Sequence, residues 1–368
     1  MGKKVAFITR HAVSNYGSVL QAYALQTAIE RLGHEAVCID YIPADETPDQ
    51  IADTLLEDSR WNKNAATRAA YKLTQRPVFK SASSKFEAYR GGLLKLSKKS
   101  YHDGQSLKDD LPEADVFMTG SDQVWNTIHH NKIDPVYFLS FTDGVRKTAY
   151  AASFGSDSVI EENKEAITKY IKDYDQITIR EKNGVEACKR LGVKAEQVLD
   201  PTLLLDKSDW VRIIPEGRSK QKYVLVYQLH PNKQFQTYAK QFAKNKGLKL
   251  VRVHPYFHHV VKPGKFVNCP PIGEFLRLIN DAEYLLTDSF HATAFAIGLN
   301  TDFVDVLPIL YSERISSVLG LVGLENRVLK SYSDFSAADQ KIDFAKVNSM
   351  IKDERERSIQ LLKQLIEG

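Results

Sequence analysis

Short apolar runs alternate with stretches of helical spacing along most of the chain, and polar residues gather where one gives way to the other. Residues 5–9 form a β-type run. Leu20, Tyr23, Ala24, Ala28, Ile29 and Leu32 then recur at helical spacing, Gly33 stands where such a helix ends, and 36–41 reads as a second strand. Strand, helix, strand is a βαβ unit, so a parallel sheet is expected from the start. After an irregular stretch at 43–110 the rhythm resumes. Strands are expected at 114–119, 147–153, 176–179 and 198–205, with a helix at 161–172 and another opening after Arg180. The polar stretch Asp206, Lys207, Ser208, Asp209 reads as a linker. A second series follows, with strands at 222–228, 248–254, 284–286 and 301–306, and helices at 234–246, 272–280, 292–299 and 312–321. A final amphipathic helix is expected at 346–366.

This pattern predicts an α/β protein of two domains facing across a cleft: 1–205 with a helical insertion at about 43–110, then 206–345. The helix in 346–368 is expected to pack back on the first domain. At 368 residues the chain is long enough for two full cores. Cys38, Cys188 and Cys269 lie far apart with no CxxC pairing, which argues against a disulfide framework or zinc site and fits a reducing cytosol. No apolar stretch approaches the roughly 20 residues of a membrane helix, and the opening MGKKVAFITR lacks the apolar run of a signal peptide. A cytoplasmic protein is expected.

Net charge is only +4, but its distribution is uneven. An acidic piece with Asp45, Glu46, Asp49, Asp53, Glu57 and Asp58 precedes residues 61–99, where ten basic residues meet one acid, Glu87. Trp61, Tyr71, Phe79, Phe86 and Tyr89 are interleaved. Such segments lie on anionic membranes or steer polyanions. The plainer alternative is a helical insertion with a solvated basic face and a packed aromatic face. The packed insertion is the favoured reading, peripheral contact with the inner membrane face through 61–99 is the alternative, and nucleic acid is not expected as a partner.

Candidate chemistry sits at the seams. Thr287-Asp288-Ser289-Phe290-His291 is a polar turn between a strand end and a helix start, where open α/β sheets place ligands and helix N–H groups favour anions. The plain alternative is that Asp288 or Ser289 caps the helix and His291 is a satisfied surface histidine. The loop 10–17 carries Asn15 and Gly17, suited to a tight turn with outward N–H groups; it is not GxGxxG, so a dinucleotide fingerprint is absent. Gly120-Ser121-Asp122-Gln123-Val124-Trp125-Asn126 has the character of a site loop. Arg180 at a strand end suits a phosphate or carboxylate, against a plain Arg180–Glu181 surface pair. His254, His258 and His259 raise the question of a metal, but no carboxylate or cysteine lies at ligand spacing, and no metal is expected.

NYGSVLQAYALQ (15–26), GSDQVWN (120–126), IREKNG (179–184), LDPTLLL (199–205) and TDSFHA (287–292) occur in this order. Together they resemble the polysaccharide pyruvyl transferase family. The resemblance implies a GT-B-like fold of two Rossmann-like domains, and transfer of pyruvate from phosphoenolpyruvate to a sugar of a bacterial surface polysaccharide as a cyclic ketal. It implies that His291 is essential and that Arg180 meets the donor's anionic groups. Ser289-Phe290 stands where many members have Arg-Leu, so a second donor arginine is missing at that place.

The site expected is therefore His291, Asp122 and Asp288 for catalysis, and Arg180, Ser289, His291 and Arg314 for the donor. Asn15, Gly17, Ser121, Gln123 and Asn126 are expected to hold the acceptor, a saccharide or lipid-linked saccharide. Phosphoenolpyruvate is a substrate, and no cofactor is expected. Two other readings fit the same residues: a GT-B glycosyltransferase using a nucleotide sugar, and a non-catalytic saccharide-binding component of polysaccharide assembly.

Overall fold

The computed structural model describes residues 2–57, 59, 61–127, 132–217, 221–308 and 312–368. The chain divides into two compact units, one of Met1–Pro201 with Ile359–Gly368 and one of Thr202–Ser358.

The first unit is built on seven parallel strands: β1 (Lys4–Ile8), β2 (Glu35–Tyr41), β3 (Leu96–Tyr101), β4 (Val116–Thr119), β5 (Arg146–Ala152), β6 (Gln176–Ile179) and β7 (Ala195–Gln197). Their order is β3-β2-β1-β4-β5-β6-β7, so the winding reverses between β1 and β4. Register sets Val5 beside Val116 and Ile8 beside Thr119, and the loops leaving β1 and β4 therefore begin side by side. That is a topological switch point, where the carboxyl ends of a parallel sheet open a crevice.

The second unit repeats the plan with β8 (Tyr223–Tyr227), β9 (Lys249–His254), β10 (Lys265–Asn268), β11 (Tyr284–Thr287) and β12 (Phe303–Asp305), in the order β10-β9-β8-β11-β12. Thr287 is level with Tyr227, so here the switch point lies between β8 and β11. The helix Phe290–Leu299 is buried nearly all round, as its Ala, Phe and Ile content requires. Phe295 packs edge-on against Trp210 at 5.1 Å. Asn300, at φ 62°, closes this helix in the left-handed conformation that asparagine tolerates.

Three strands escape a search for apolar runs. β3 is LSKKSY, an edge strand whose lysines face water; β7 is AEQ; β10 is KFVN, again at an edge. The strand expected at 198–205 is not formed. Pro201 has no N–H to give a ladder, and Pro201–Leu203 is a short 3₁₀ turn instead, leaving the polar Ala195–Gln197 as the edge.

The expected helical insertion at 43–110 contains the helices Ile51–Glu57 and Ala65–Leu93, but it also supplies β3 to the sheet. The long helix buries Tyr71, Phe79 and Phe86, with Phe86 5.0 Å from the Tyr16 ring. Much of its basic charge meets the acidic piece before it. Asp53 pairs with Lys72 at 3.2 Å and Arg76 at 2.5 Å, and Asp49 pairs with Lys80 at 3.3 Å.

Among the described residues no helix is long and apolar enough to cross a membrane. The helix Phe344–Glu367 places its last part in the first unit, where Leu362, Leu365 and Ile366 are fully buried.

Candidate functional site

Each unit carries polar groups at its own switch point. In the first, Asn15 caps the helix Tyr16–Arg31, its carboxamide oxygen accepting from Gly17 N–H at 2.9 Å. Thr9 Oγ1 donates to the Ser121 carbonyl at 2.6 Å and accepts from Gln21 Nε2 at 2.8 Å, tying the two loops together. Gly120 is forced by close approach: a Cβ there would lie 3.2 Å from both Leu25 and Thr9 side-chain carbons. Trp125 anchors the loop's far end. It is fully buried, stacks on Phe138 at 5.2 Å, and gives its indole N–H to the Tyr137 carbonyl at 3.2 Å.

Between these anchors Asp122 takes φ 77°, a left-handed conformation uncommon for a residue with a Cβ. Its Oδ2 accepts from Ser18 Oγ at 2.9 Å and its Oδ1 from Gln123 N–H at 2.9 Å. Arg180 Nη2 stands 3.7 Å from Oδ1. The same guanidinium donates through Nη1 to Asp200 Oδ2 at 2.9 Å, which also accepts from Ser121 Oγ at 2.9 Å, and its Nε is 3.9 Å from Glu181 Oε2. Burial alone would lower the pKa of Arg180; Asp200, Asp122 and Glu181 more than offset that and raise it. Asn126 is 6% exposed, and neither its Oδ1 nor its Nδ2 has a hydrogen-bond partner among the described residues. The Gln123 Nε2 is in the same condition.

In the second unit Asp288 is buried and fastens β11 to β8. Its Oδ1 accepts from Leu229 N–H at 2.7 Å, and its Oδ2 from His230 N–H at 2.9 Å. Ser289 caps the helix Phe290–Leu299, its Oγ accepting from Ala292 N–H at 3.4 Å. His291 follows in the first turn and is 6% exposed. Its ring lies 5.2 Å from that of Phe290, over which the Arg314 guanidinium sits at 5.8 Å. On the far side of β11, Asp305 accepts from Thr293 Oγ1 at 2.6 Å, and burial pushes its pKa up to about 8. Among the described residues no three His, Cys, Asp or Glu side chains are grouped to hold a metal ion.

A profile of the family described as "Polysaccharide pyruvyl transferase" matches residues 15–308. The chain belongs to the polysaccharide pyruvyl transferase family. No curated protein sequence matches it significantly. Among solved structures it is similar to a trehalose-6-phosphate synthase, OtsA, with TM-score 0.56 and 8% identity over 100% of this chain and 99% of that one. It is also similar to the S. aureus MnaA–UDP co-structure, with TM-score 0.55 and 13% identity over 100% and 98%. Arabidopsis thaliana UGT89C1 follows, with TM-score 0.51 and 11% identity over 100% of both chains. At these identities the likeness shows the fold alone: GT-B-like, with two Rossmann-like units.

Three of the five blocks, 15–26, 120–126 and 287–292, fall at the two switch points, whereas 179–184 and 199–205 follow β6 and β7, and not every residue keeps the part expected of it. Membership in this transferase family gives Arg180 an expected donor contact, yet the guanidinium is 4% exposed and faces Asp200, Asp122 and Glu181. Three carboxylates therefore already stand against the charge expected to meet the donor, the nearest of them Asp200 at 2.9 Å. Asp288, expected near the catalytic histidine as orienter or base, has both oxygens engaged by backbone N–H groups of β8's loop. Ser289 is the cap, as the plain alternative had it, but His291 is buried and not a surface histidine. Asn15 and Gly17 are bonded to each other across the cap.

Ser18, Asp200 and Glu181 were missed by sequence reasoning. Asp200 stands in LDPTLLL, one of the blocks that carried the resemblance, so a signal was present there. Ser18 and Glu181 stand in such blocks too, NYGSVLQAYALQ and IREKNG, and Glu181 reads from sequence only as a plain surface partner of Arg180.

Proposed function

We propose that this member of the family transfers pyruvate from phosphoenolpyruvate to a saccharide, free or lipid-linked, as a cyclic ketal. The methylene carbon of the donor takes a proton, C2 becomes electrophilic, one sugar hydroxyl adds there and loses its proton, and phosphate leaves. A second hydroxyl then adds to the C2 cation left behind, gives up its proton to the released phosphate and closes the ring. His291 is the proton donor, or the cation facing the donor's oxygens. Imidazole suits either task near neutrality. The amino-terminal end of Phe290–Leu299, with Arg314 over Phe290, favours the donor's negative charge. Asp122, held by Ser18 and Arg180, is the acceptor-side base, and the carboxamides of Gln123 and Asn126 bind sugar hydroxyls.

The observation that carries this reading is the burial of His291 immediately behind the Ser289 cap, in a chain whose family is known. The test is incubation with phosphoenolpyruvate and a panel of aryl- or lipid-linked saccharides. Gain of the pyruvyl mass with stoichiometric phosphate release is expected. Release of a nucleoside diphosphate from a nucleotide sugar, with phosphoenolpyruvate untouched, would overturn it.

A further inference from the structure

The second unit also holds a basic cluster for which the scheme above has no use. β9 ends in Arg252, Val253 and His254, and the segment that follows carries His258, His259 and Lys262. The His254 and His259 rings stack with centroids 3.4 Å apart and planes 10° from parallel. His254 Nδ1 accepts from Tyr256 N–H at 3.0 Å, and His259 Nδ1 accepts from Lys262 Nζ at 2.9 Å. A neutral imidazole that accepts at Nδ1 carries its proton on Nε2, so each ring has an N–H left to give.

Arg252 is 1% exposed. Its Nε donates to the Pro263 carbonyl at 3.3 Å and its Nη1 to Gln228 Oε1 at 3.3 Å, whereas Nη2 has no hydrogen-bond partner among the described residues. A buried guanidinium with an unmet N–H is unfavourable unless something negative completes it.

The charges around it agree. Burial pushes His259 down to about 3 with help from Lys262, His258 and Arg252, and pushes His254 down to about 2 with help from His259 and Lys262. Lys262 is held down to about 8 by burial and by Arg252, against the pull of Asp288. The Asp288 carboxylate is already engaged by the N–H groups of Leu229 and His230. Half-buried Lys262 and exposed His258 bring the cluster to the surface.

We propose that this cluster is a phosphoryl-binding site, in which Arg252, Lys262 and the stacked pair His254 and His259 hold the phosphate of a phosphomonoester. Resting on the pyruvyl-transfer reading, the phosphomonoester is phosphoenolpyruvate, and its carboxylate is left to the helix start at Ser289 to His291. The cluster thus stands in for the arginine that the family motif lacks at Ser289. Inorganic phosphate, the product released, fits the same groups.

Calorimetric titration of the full chain at pH 7 with inorganic phosphate, phosphoenolpyruvate and pyruvate tests this. Phosphate and phosphoenolpyruvate should bind, and pyruvate should bind more weakly. Lys262→Gln, at a half-buried position and with its folding checked by circular dichroism, should weaken phosphate about tenfold or more, the loss of one charge-assisted contact. Arg252→Lys is the second variant and should weaken it further. His291→Ala should keep phosphate binding while turnover falls. Wild-type binding should also fade above about pH 8, where Lys262 loses its proton while Arg252 stays charged, His254, His258 and His259 are neutral, and Asp288 still faces the cluster.

Phosphate binding that is absent in wild type, or unchanged in Lys262→Gln, overturns the site whatever the turnover. Binding that depends on Lys262 in a protein with no pyruvyl transfer keeps the site and removes the substrate.

Discussion

His291 differs from the other histidines of the second unit in standing inside a helix start, where N–H groups without intrahelical partners surround it. Replacing it by alanine leaves the Ser289 cap intact, so the fold should hold while turnover of phosphoenolpyruvate falls by a factor of about 10² to 10⁴. Steady-state phosphate release measures this, and near-normal turnover would remove the role. Asp305 makes a prediction of a different kind. Its pKa is raised to about 8 in the fold, first by burial, and the hydrogen bond from Thr293 does not undo that. A carboxyl raised in this way favours the folded state fully at low pH and loses that advantage as pH climbs from its unfolded value, about 4, through 8. Urea midpoints should therefore decline over this window with a slope of roughly one proton. Asp305→Asn, which keeps an acceptor for Thr293, should flatten it.

At the scale of elements, the loop from Gly120 to Asn126 depends on two supports. Trp125 fills the core beneath it, and Trp125→Ala should cost about 3–5 kcal/mol by chemical denaturation. Gly155, at φ +79°, passes so close to Asn126 that an added Cβ would meet its Nδ2 at 2.5 Å. Gly155→Ala should displace the Asn126 carboxamide and weaken saccharide binding without touching the donor, which separate titrations of the two ligands will show.

The long basic helix gives a third case. Lys63, Arg68 and Lys85 are exposed and make no ion pair among the described residues, unlike Lys72, Arg76 and Lys80. If the segment touches anionic membranes, charge reversal at Arg68 and Lys85 should abolish vesicle flotation. Unchanged flotation dismisses that contact. The parallel sheets and the helix at 290–299 were legible because buried strands and helices are written as apolar runs. β3, β7 and β10 were not, since an edge strand with one wet side needs few apolar residues. The polar turns stood out as candidates for a similar reason: Asp122 and His291 sit where a chain built for packing alone would not put them. The neutralisation of Arg180 by Asp200 was not, because it joins residues 20 apart in sequence through a sheet register that spacing does not reveal.

The two units interrupt one another along the chain. Residues 202–358 form the second, and Ile359–Gly368 return to the first, where Arg146 donates to the Leu365 carbonyl at 3.0 Å and Lys3 Nζ to that of Ile366 at 2.8 Å. Removing 359–368 should strip Leu361, Leu362, Leu365 and Ile366 from that core and lower the melting temperature by several degrees or more, since each buried side chain contributes about 1.5–3 kcal/mol. Growth of the chain on a ribosome meets the same arrangement in time. Thr202–Ser358 can finish folding as it emerges, while the unit begun at the amino terminus must wait, its last helical turns unmade, until the ten residues that complete it are translated. A released chain ending at Ser358 should accordingly be cut by protease faster in its first unit than in its second.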